Sequence, residues 1–321
     1  MYVFFKKRSK NTTPTNGNYH NDYIRSLEEL RSLFTKCFIR SLNKVRLSLK
    51  MNQAVRFLRF NLQSQREFLY MKRRYLKDFN FKENCQVLDV GCGPGDITRY
   101  GLLPLLPKST KKLMGVDISS DMIDFAKQFH QDDDRISFER LDIGTSSIPS
   151  HLLQSFDHVL SFYCLHFVPD LRKAMENIHR MLKPKGDILV NLISHHYLFE
   201  LYEELSKMEK WNSYVHDYKL RMSPFQDSGN FKQYFENTLR DVGFNITHCT
   251  EQRKVWPASC ENSEGLLKAI NYVNIPKHLE DEFVSDQCDV MRGADKVFIN
   301  EHGEEEVYWK YTVLFANASK V

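Results

Sequence analysis

The sequence contains no C-x-x-C pair. Its 7 cysteines stand scattered at 37, 85, 92, 164, 249, 260 and 288, and the odd count argues against both a disulfide scaffold and a zinc ribbon. No metal site is expected. Long apolar runs are also missing: none approaches the ~18 residues of a membrane span, and the mean hydropathy is −0.49. Stable membrane insertion is therefore excluded. The opening MYVFFKKRSK lacks the apolar core of roughly 7–15 residues that marks a secretory signal. A reducing, cytoplasmic setting is the expectation. Internal repeats are absent too. A net positive charge is missing from the body of the chain. The net charge is +4, but residues 1–50 hold 11 Lys/Arg against 3 Asp/Glu, which leaves the remainder at −4. A nucleic-acid footprint on that remainder is not supported.

What is present is a globular composition of 321 residues, 42% hydrophobic and 27% charged, long enough to bury a sizeable core. The aromatic load is high, with 23 Phe and 15 Tyr. Such a load serves a core or an apolar ligand pocket. Residues 1–50 read as a basic, partly disordered extension. Its stretch 21–50 suits an amphipathic helix with Ile24, Leu27, Leu30, Leu33 and Phe34 on one side. That stretch fits a membrane surface, an organelle address or a plain appendage. Residues 51–321 form one domain.

Within it, 52–79 reads as an aromatic helix placed over the mouth of a site. Strands are then expected at 85–90, 113–117, 136–143, 156–165 and 187–193, with helices at 95–106, after Ser119 and at 170–182. This rhythm means βαβ units and a parallel sheet with helices on both faces. After 193, helices are expected at 197–218, 229–241 and 261–290, a strand at 244–255, and an edge-like alternating strand at 306–317. The cofactor-binding core is placed at about 83–193, and added cap elements at 51–80, 196–241 and 257–295.

The chemistry lies in Val87-Leu88-Asp89-Val90-Gly91-Cys92-Gly93-Pro94-Gly95-Asp96. A strand that runs into a glycine-rich turn before a helix lets a ligand lie against bare backbone, with Gly91 and Gly93 offering no Cβ to obstruct it. A dinucleotide turn wants G-x-G-x-x-G, and here the third glycine comes one position early. Asp89 would repel a pyrophosphate, whereas it suits the ammonium and sulfonium of S-adenosylmethionine. Asp117, 26 residues beyond Gly91, can accept a ribose diol. Asp142 can accept the adenine amine. Cys92, Ile118, Ile143 and Phe162 complete the expected cofactor surroundings.

This stretch resembles the class I S-adenosylmethionine-dependent methyltransferases over roughly 83–193. The resemblance implies a Rossmann-like α/β fold with a seven-stranded sheet and an antiparallel last strand, here 306–317. A closer resemblance extends over nearly all of 51–321. SFYCLHF (161–167), FELYEELSKMEKWNSYV (199–215), RMSPF (221–225) and NIPKHLEDEFVSD (274–286) are similar to the juvenile hormone acid methyltransferase family. That implies methylation of a small-molecule carboxylic acid, usually a sesquiterpenoid such as farnesoic acid or juvenile hormone acid. The family's substrate-contacting glutamine falls on Ser64, between Gln63 and Gln65, and its tryptophan after the Leu-His pair is Phe167 here. Gln63, Gln65 and His166 are the residues expected to hold the carboxylate. Tyr163, Phe167, Trp211 and Tyr214 are expected to line the apolar substrate pocket with Phe162. Two other functions fit the same motif: methylation of a phenol, an amine or a different fatty acid, and a catalytically silent cofactor-fold binding protein. The sequence leaves the oligomeric state open.

Overall fold

The computed structural model describes residues 53–220, 229–270, 273–294, 296–300 and 302–321. The N-terminal extension and the RMSPF segment lie outside the described residues. Two helices come first, α1 (Gln53–Phe60) and α2 (Leu62–Arg74). Asn61 separates them, and its side chain caps α2 by accepting the Ser64 N–H at 3.4 Å. An alternating core follows: β1 (Gln86–Val90), β2 (Lys112–Asp117), α3 (Ser120–His130), β3 (Ile136–Arg140), β4 (Phe156–Phe162), α4 (Leu171–Met181) and β5 (Leu182–His196). Helices α5 (Tyr197–Ser206) and α6 (Glu209–Val215) begin the added elements. Beyond them lie α7 (Phe231–Val242), β6 (Phe244–Ser259), α8 (Cys260–Ala269), α9 (Glu280–Gly293), β7 (Val297–Ile299) and β8 (Glu305–Lys320).

The main sheet runs in the order β3-β2-β1-β4-β5-β8-β6, and β7 pairs with β8 off that path. Strands β1 to β5 are parallel, and β8 runs antiparallel to both β5 and β6. The antiparallel strand is thus the expected segment, but it is not at an edge. Its alternation comes from a strand gripped on both sides, with Val307, Trp309, Tyr311 and Val313 all buried, while β6 takes the outer position. The short β7 raises the strand total among the described residues from seven to eight.

Successive residues in the central strands serve opposite layers, as the two-residue period requires. Val87, Leu160, Leu189 and Phe315 pack on the face that carries α2, α5, α6 and α9. Leu88, Val159, Val190 and Leu314 pack on the face that carries α4 and α7. Strands covered on both faces read as continuous apolar runs, which is why β1, β4 and β5 were legible. The segment after the glycine turn is less regular than the expected helix at 95–106. It makes a single π turn at Ile97–Leu102 and a 3-10 turn at Leu103–Leu105. Pro104 cannot donate a backbone N–H to prolong a helix there.

Candidate active site

A cavity of about 560 Å³ opens at the carboxyl ends of β1, β2 and β4. The β1 strand delivers the chain into the glycine turn, and the N–H groups of Gly91 and Cys92 both donate to Val116 O, at 2.8 and 3.0 Å. The two glycines answer different demands. At Gly91, φ is +76° and a Cβ would fall 2.2 Å from the Cys164 Cβ, so packing against the β4 end requires glycine there. At Gly93, φ is +54° and a Cβ would meet only the Phe57 ring, at 3.7 Å. The bare backbone that faces the cavity is therefore at 93, and 91 lets the turn sit close to β4.

Asp117 ends β2. Its Oδ2 accepts the Gly93 N–H at 3.0 Å and its Oδ1 accepts the Ser119 N–H at 2.9 Å. Burial raises it above the usual carboxylate range. Lone pairs remain on both oxygens for a diol. Asp142 is exposed and accepts the Gly144 N–H at 2.9 Å. Ile118 is 57% exposed beside it, an apolar side chain held at the cavity wall. Cys92, Ile143 and Phe162 line the same cavity, and Phe162 is steadied by an edge-on contact with Phe68 of α2, centroids 5.4 Å apart.

Asp89 does not line this cavity. It is buried behind the turn, where it accepts the Thr98 hydroxyl at 2.6 Å, and burial pushes it up to about 7. Asp96 does line the cavity, together with Asp117 and Asp142, and sequence reasoning passed it over. It closes the glycine turn, and a polar residue at that point of a strand-turn-helix unit was the available signal.

Beside the larger cavity lies a chamber of about 60 Å³. Phe57, Asn61, Ser64, Tyr163, Phe167 and Ile270 border both spaces. The first turn of α2 stands at the partition: Gln65 faces the large cavity, Gln63 the small one and Ser64 both. Residues two apart on a helix point about 200° from one another, so the two glutamines cannot share one ligand. Gln63 stands with Tyr163, His166 and Phe167 around the chamber. Tyr163 adopts a left-handed backbone, φ +54°, and its N–H donates to the Asn191 side chain at 3.0 Å. Both ring nitrogens of His166 are buried without hydrogen-bond partners. Burial drives His166 down to about 3, with His196 nearby as a lesser cause, so its ring is neutral at pH 7. His196 also borders the chamber. Its Nδ1 accepts the Leu198 N–H at 2.9 Å. No sequence pattern singled it out.

Trp211 and Tyr214 line neither space. Trp211 is fully buried in the cap. Its Nε1 donates to Asp286 at 2.7 Å, and its ring meets Phe283 edge-on at 4.9 Å. Tyr214 packs against it, centroids 6.1 Å apart. Trp211 holds α6 to α9 from the core, Tyr214 is half-buried beside it, and neither stands at the expected pocket.

A methyltransferase domain model matches residues 81–255. The juvenile hormone acid O-methyltransferase of Drosophila melanogaster is 32% identical over 239 residues, 73% of this chain and 80% of that protein. The Bombyx mori enzyme of the same name is 31% identical over 278 residues, 84% and 98% of the two chains. The chain belongs to the juvenile hormone acid O-methyltransferase family. Its fold is the Rossmann-like methyltransferase fold, and its cofactor is S-adenosylmethionine. Among solved structures, the YcgJ protein from a Bacillus is 16% identical, with a TM-score of 0.49 over 78% of this chain and 98% of that one. The methyltransferase site fits the cofactor: an open backbone at Gly93, an acceptor at Asp117 and an exposed apolar wall at Ile118 face one cavity. No helix among the described residues is long and apolar enough to cross a membrane.

Proposed function

We propose that this methyltransferase O-methylates the carboxylate of a small apolar acid of the farnesoic or juvenile hormone acid type. The observation that carries the reading is the small chamber. Its lining gathers three neutral side chains with donor groups, Gln63, Tyr163 and His166, and both ring nitrogens of His166 are buried without hydrogen-bond partners. A buried donor without a partner costs about 1–3 kcal/mol, and a carboxylate accepting from these groups removes that cost. The rest of the lining is largely apolar, with Phe167, Phe199, Leu198 and Leu266, as an isoprenoid chain requires.

The same lining separates a carboxylic acid from a phenol or an amine. Those acceptors need a base. Among the described residues no Asp, Glu, Lys or Arg borders the chamber, and a histidine driven down to about 3 by burial is a poor base at pH 7. A carboxylate arrives ionised and needs none. S-adenosylmethionine supplies the methyl group on a sulfonium. The protein's share is then to orient the acid through Gln63, Tyr163 and His166, and to exclude water with Phe57, Phe167 and Ile270. Alignment of this kind supplies on the order of 7–11 kcal/mol.

The test is incubation with labelled S-adenosylmethionine and a panel of terpenoid acids, straight-chain acids, phenols and amines. Methyl esters from farnesoic-type acids are the expected product. Label found only in phenol ethers or methylamines, or in no small molecule, would overturn the assignment.

A further inference from the structure

One buried carboxylate in the cofactor cavity is left without a cation. Asp96 is 4% exposed and lines that cavity. Its Oδ2 accepts from Gln65 Nε2 at 3.1 Å, a neutral donor reaching across from α2. No Lys, Arg or His is among the described residues bordering the cavity. Burial of a charge with only neutral support is expensive, and it pushes Asp96 up to about 6.

The other acids are differently employed. Asp89 sits behind the turn, its carboxylate engaged by Thr98 and removed from the lining. Asp117 uses one oxygen on the Gly93 N–H and the other on the Ser119 N–H. Asp142 follows β3, at the far end of the sheet order. With the nucleoside portion directed toward β2 and β3 by Asp117 and Asp142, the amino-acid portion falls over β1 and β4. Asp96 stands there, directly after the turn.

We infer that Asp96 receives the ammonium group of the cofactor's amino-acid end, with Gln65 holding the carboxylate in place from the α2 side. The assignment gives Gln65 a cofactor-side role, distinct from the acceptor-side role of Gln63. It concerns cofactor recognition and stands apart from the choice of acceptor acid.

Isothermal titration with S-adenosylhomocysteine and with its deamino analogue tests the inference without turnover. Both ligands keep the nucleoside, thioether and carboxylate, and only the first carries an ammonium. Wild-type protein is expected to prefer S-adenosylhomocysteine by about tenfold or more. Asp96→Asn should lose that preference and bind both ligands about as the wild type binds the deamino analogue. Asp96→Glu, which keeps the charge, should retain part of it, and Asp89→Asn should retain all of it. If the Asn substitution impairs folding by circular dichroism, Asp96→Ser is read in the same way. The inference is overturned if Asp96→Asn keeps the preference, if it weakens both ligands by the same factor, or if Asp89→Asn is the change that abolishes the preference.

Discussion

The Tyr311 hydroxyl donates to Oε1 of Glu67 at 2.7 Å, across 244 positions of sequence. Oε2 of the same carboxylate pairs with Lys254. Lys254 lies 3.6 Å above the Tyr70 ring, and the Tyr70 hydroxyl donates to Gln252 at 3.0 Å. Glu67 is 4% exposed. Helix α2 is therefore fastened to β6 and β8 by a buried charged network one turn beyond Gln63.

Removal of one partner should expose how much depends on that fastening. Glu67→Ala leaves Lys254 buried without its counter-ion, a change that costs about 3–5 kcal/mol in comparable pairs. A thermal melt should show the loss. Tyr311→Phe removes a single hydrogen bond and should cost less, about 1.5–3 kcal/mol. Equal melting of Glu67→Ala and wild type would mean that the network does not hold the helix.

The glycine turn makes a second prediction. Gly91→Ala meets both the positive φ and the Cys164 side chain, and should cost about 2 kcal/mol or more. Cys164→Gly in the same protein removes the steric contact and leaves the dihedral strain, so it should recover part of the loss. Denaturant midpoints of the three proteins give the comparison, and no recovery at all would assign the whole cost to the backbone.

Substrate capture should divide along the partition in α2. Gln63→Leu deletes a donor to the acid, worth about 1.5–3 kcal/mol when the acceptor is charged. That corresponds to roughly 10- to 150-fold in kcat/KM for the acid, with S-adenosylhomocysteine affinity unchanged. Steady-state kinetics beside a titration separates the two. A matching loss of cofactor affinity would place Gln63 on the wrong side of the partition.

The buried acids set a pH trend. Asp89 is raised from 3.8 to about 7, chiefly by burial. A carboxyl group with a raised folded value favours the native state while protonated, and that advantage is lost as pH climbs from about 4 through 7. Asp89→Asn keeps an acceptor for Thr98 and carries no charge. Its stability relative to wild type should therefore grow between pH 4 and pH 8, by up to a few kcal/mol. His166 and His196, both driven down to about 3, favour the native state at neutral pH and lose that contribution as pH falls below about 6.5. These trends oppose one another, so the readout is the difference between the two proteins at each pH. A pH-independent difference would contradict the burial of a titrating Asp89.

The central strands were legible because a doubly covered strand is a nearly continuous apolar run, as in residues 87–90 and 188–193, each broken only by one buried polar residue, Asp89 and Asn191. The glycine turn and Asp117 were legible because few side chains satisfy that geometry. The course of β8 was not. Alternation marks a strand with unequal faces, and Trp309 and Tyr311 alternate with Tyr308 and Lys310 whichever neighbours the strand has. Trp211 was misplaced for a related reason. An aromatic residue in a cap helix has the same appearance in sequence whether it faces a ligand or Phe283, and only the position of Asp286 decided the matter. Asp89 was chosen and Asp96 passed over, because both are buried and which of them borders the cavity depends on Thr98 and the irregular π turn.

The insertion of β8 between β5 and β6 has a consequence during synthesis. Strand β6 is made first, yet its described sheet partner is β8. A ribosome paused before residue 305 holds a nascent chain whose β5 edge is bare and whose β6 has nothing to join. Such unpaired edges are where neighbouring polypeptides stick, and emergence of the 16-residue β8 segment removes both at once.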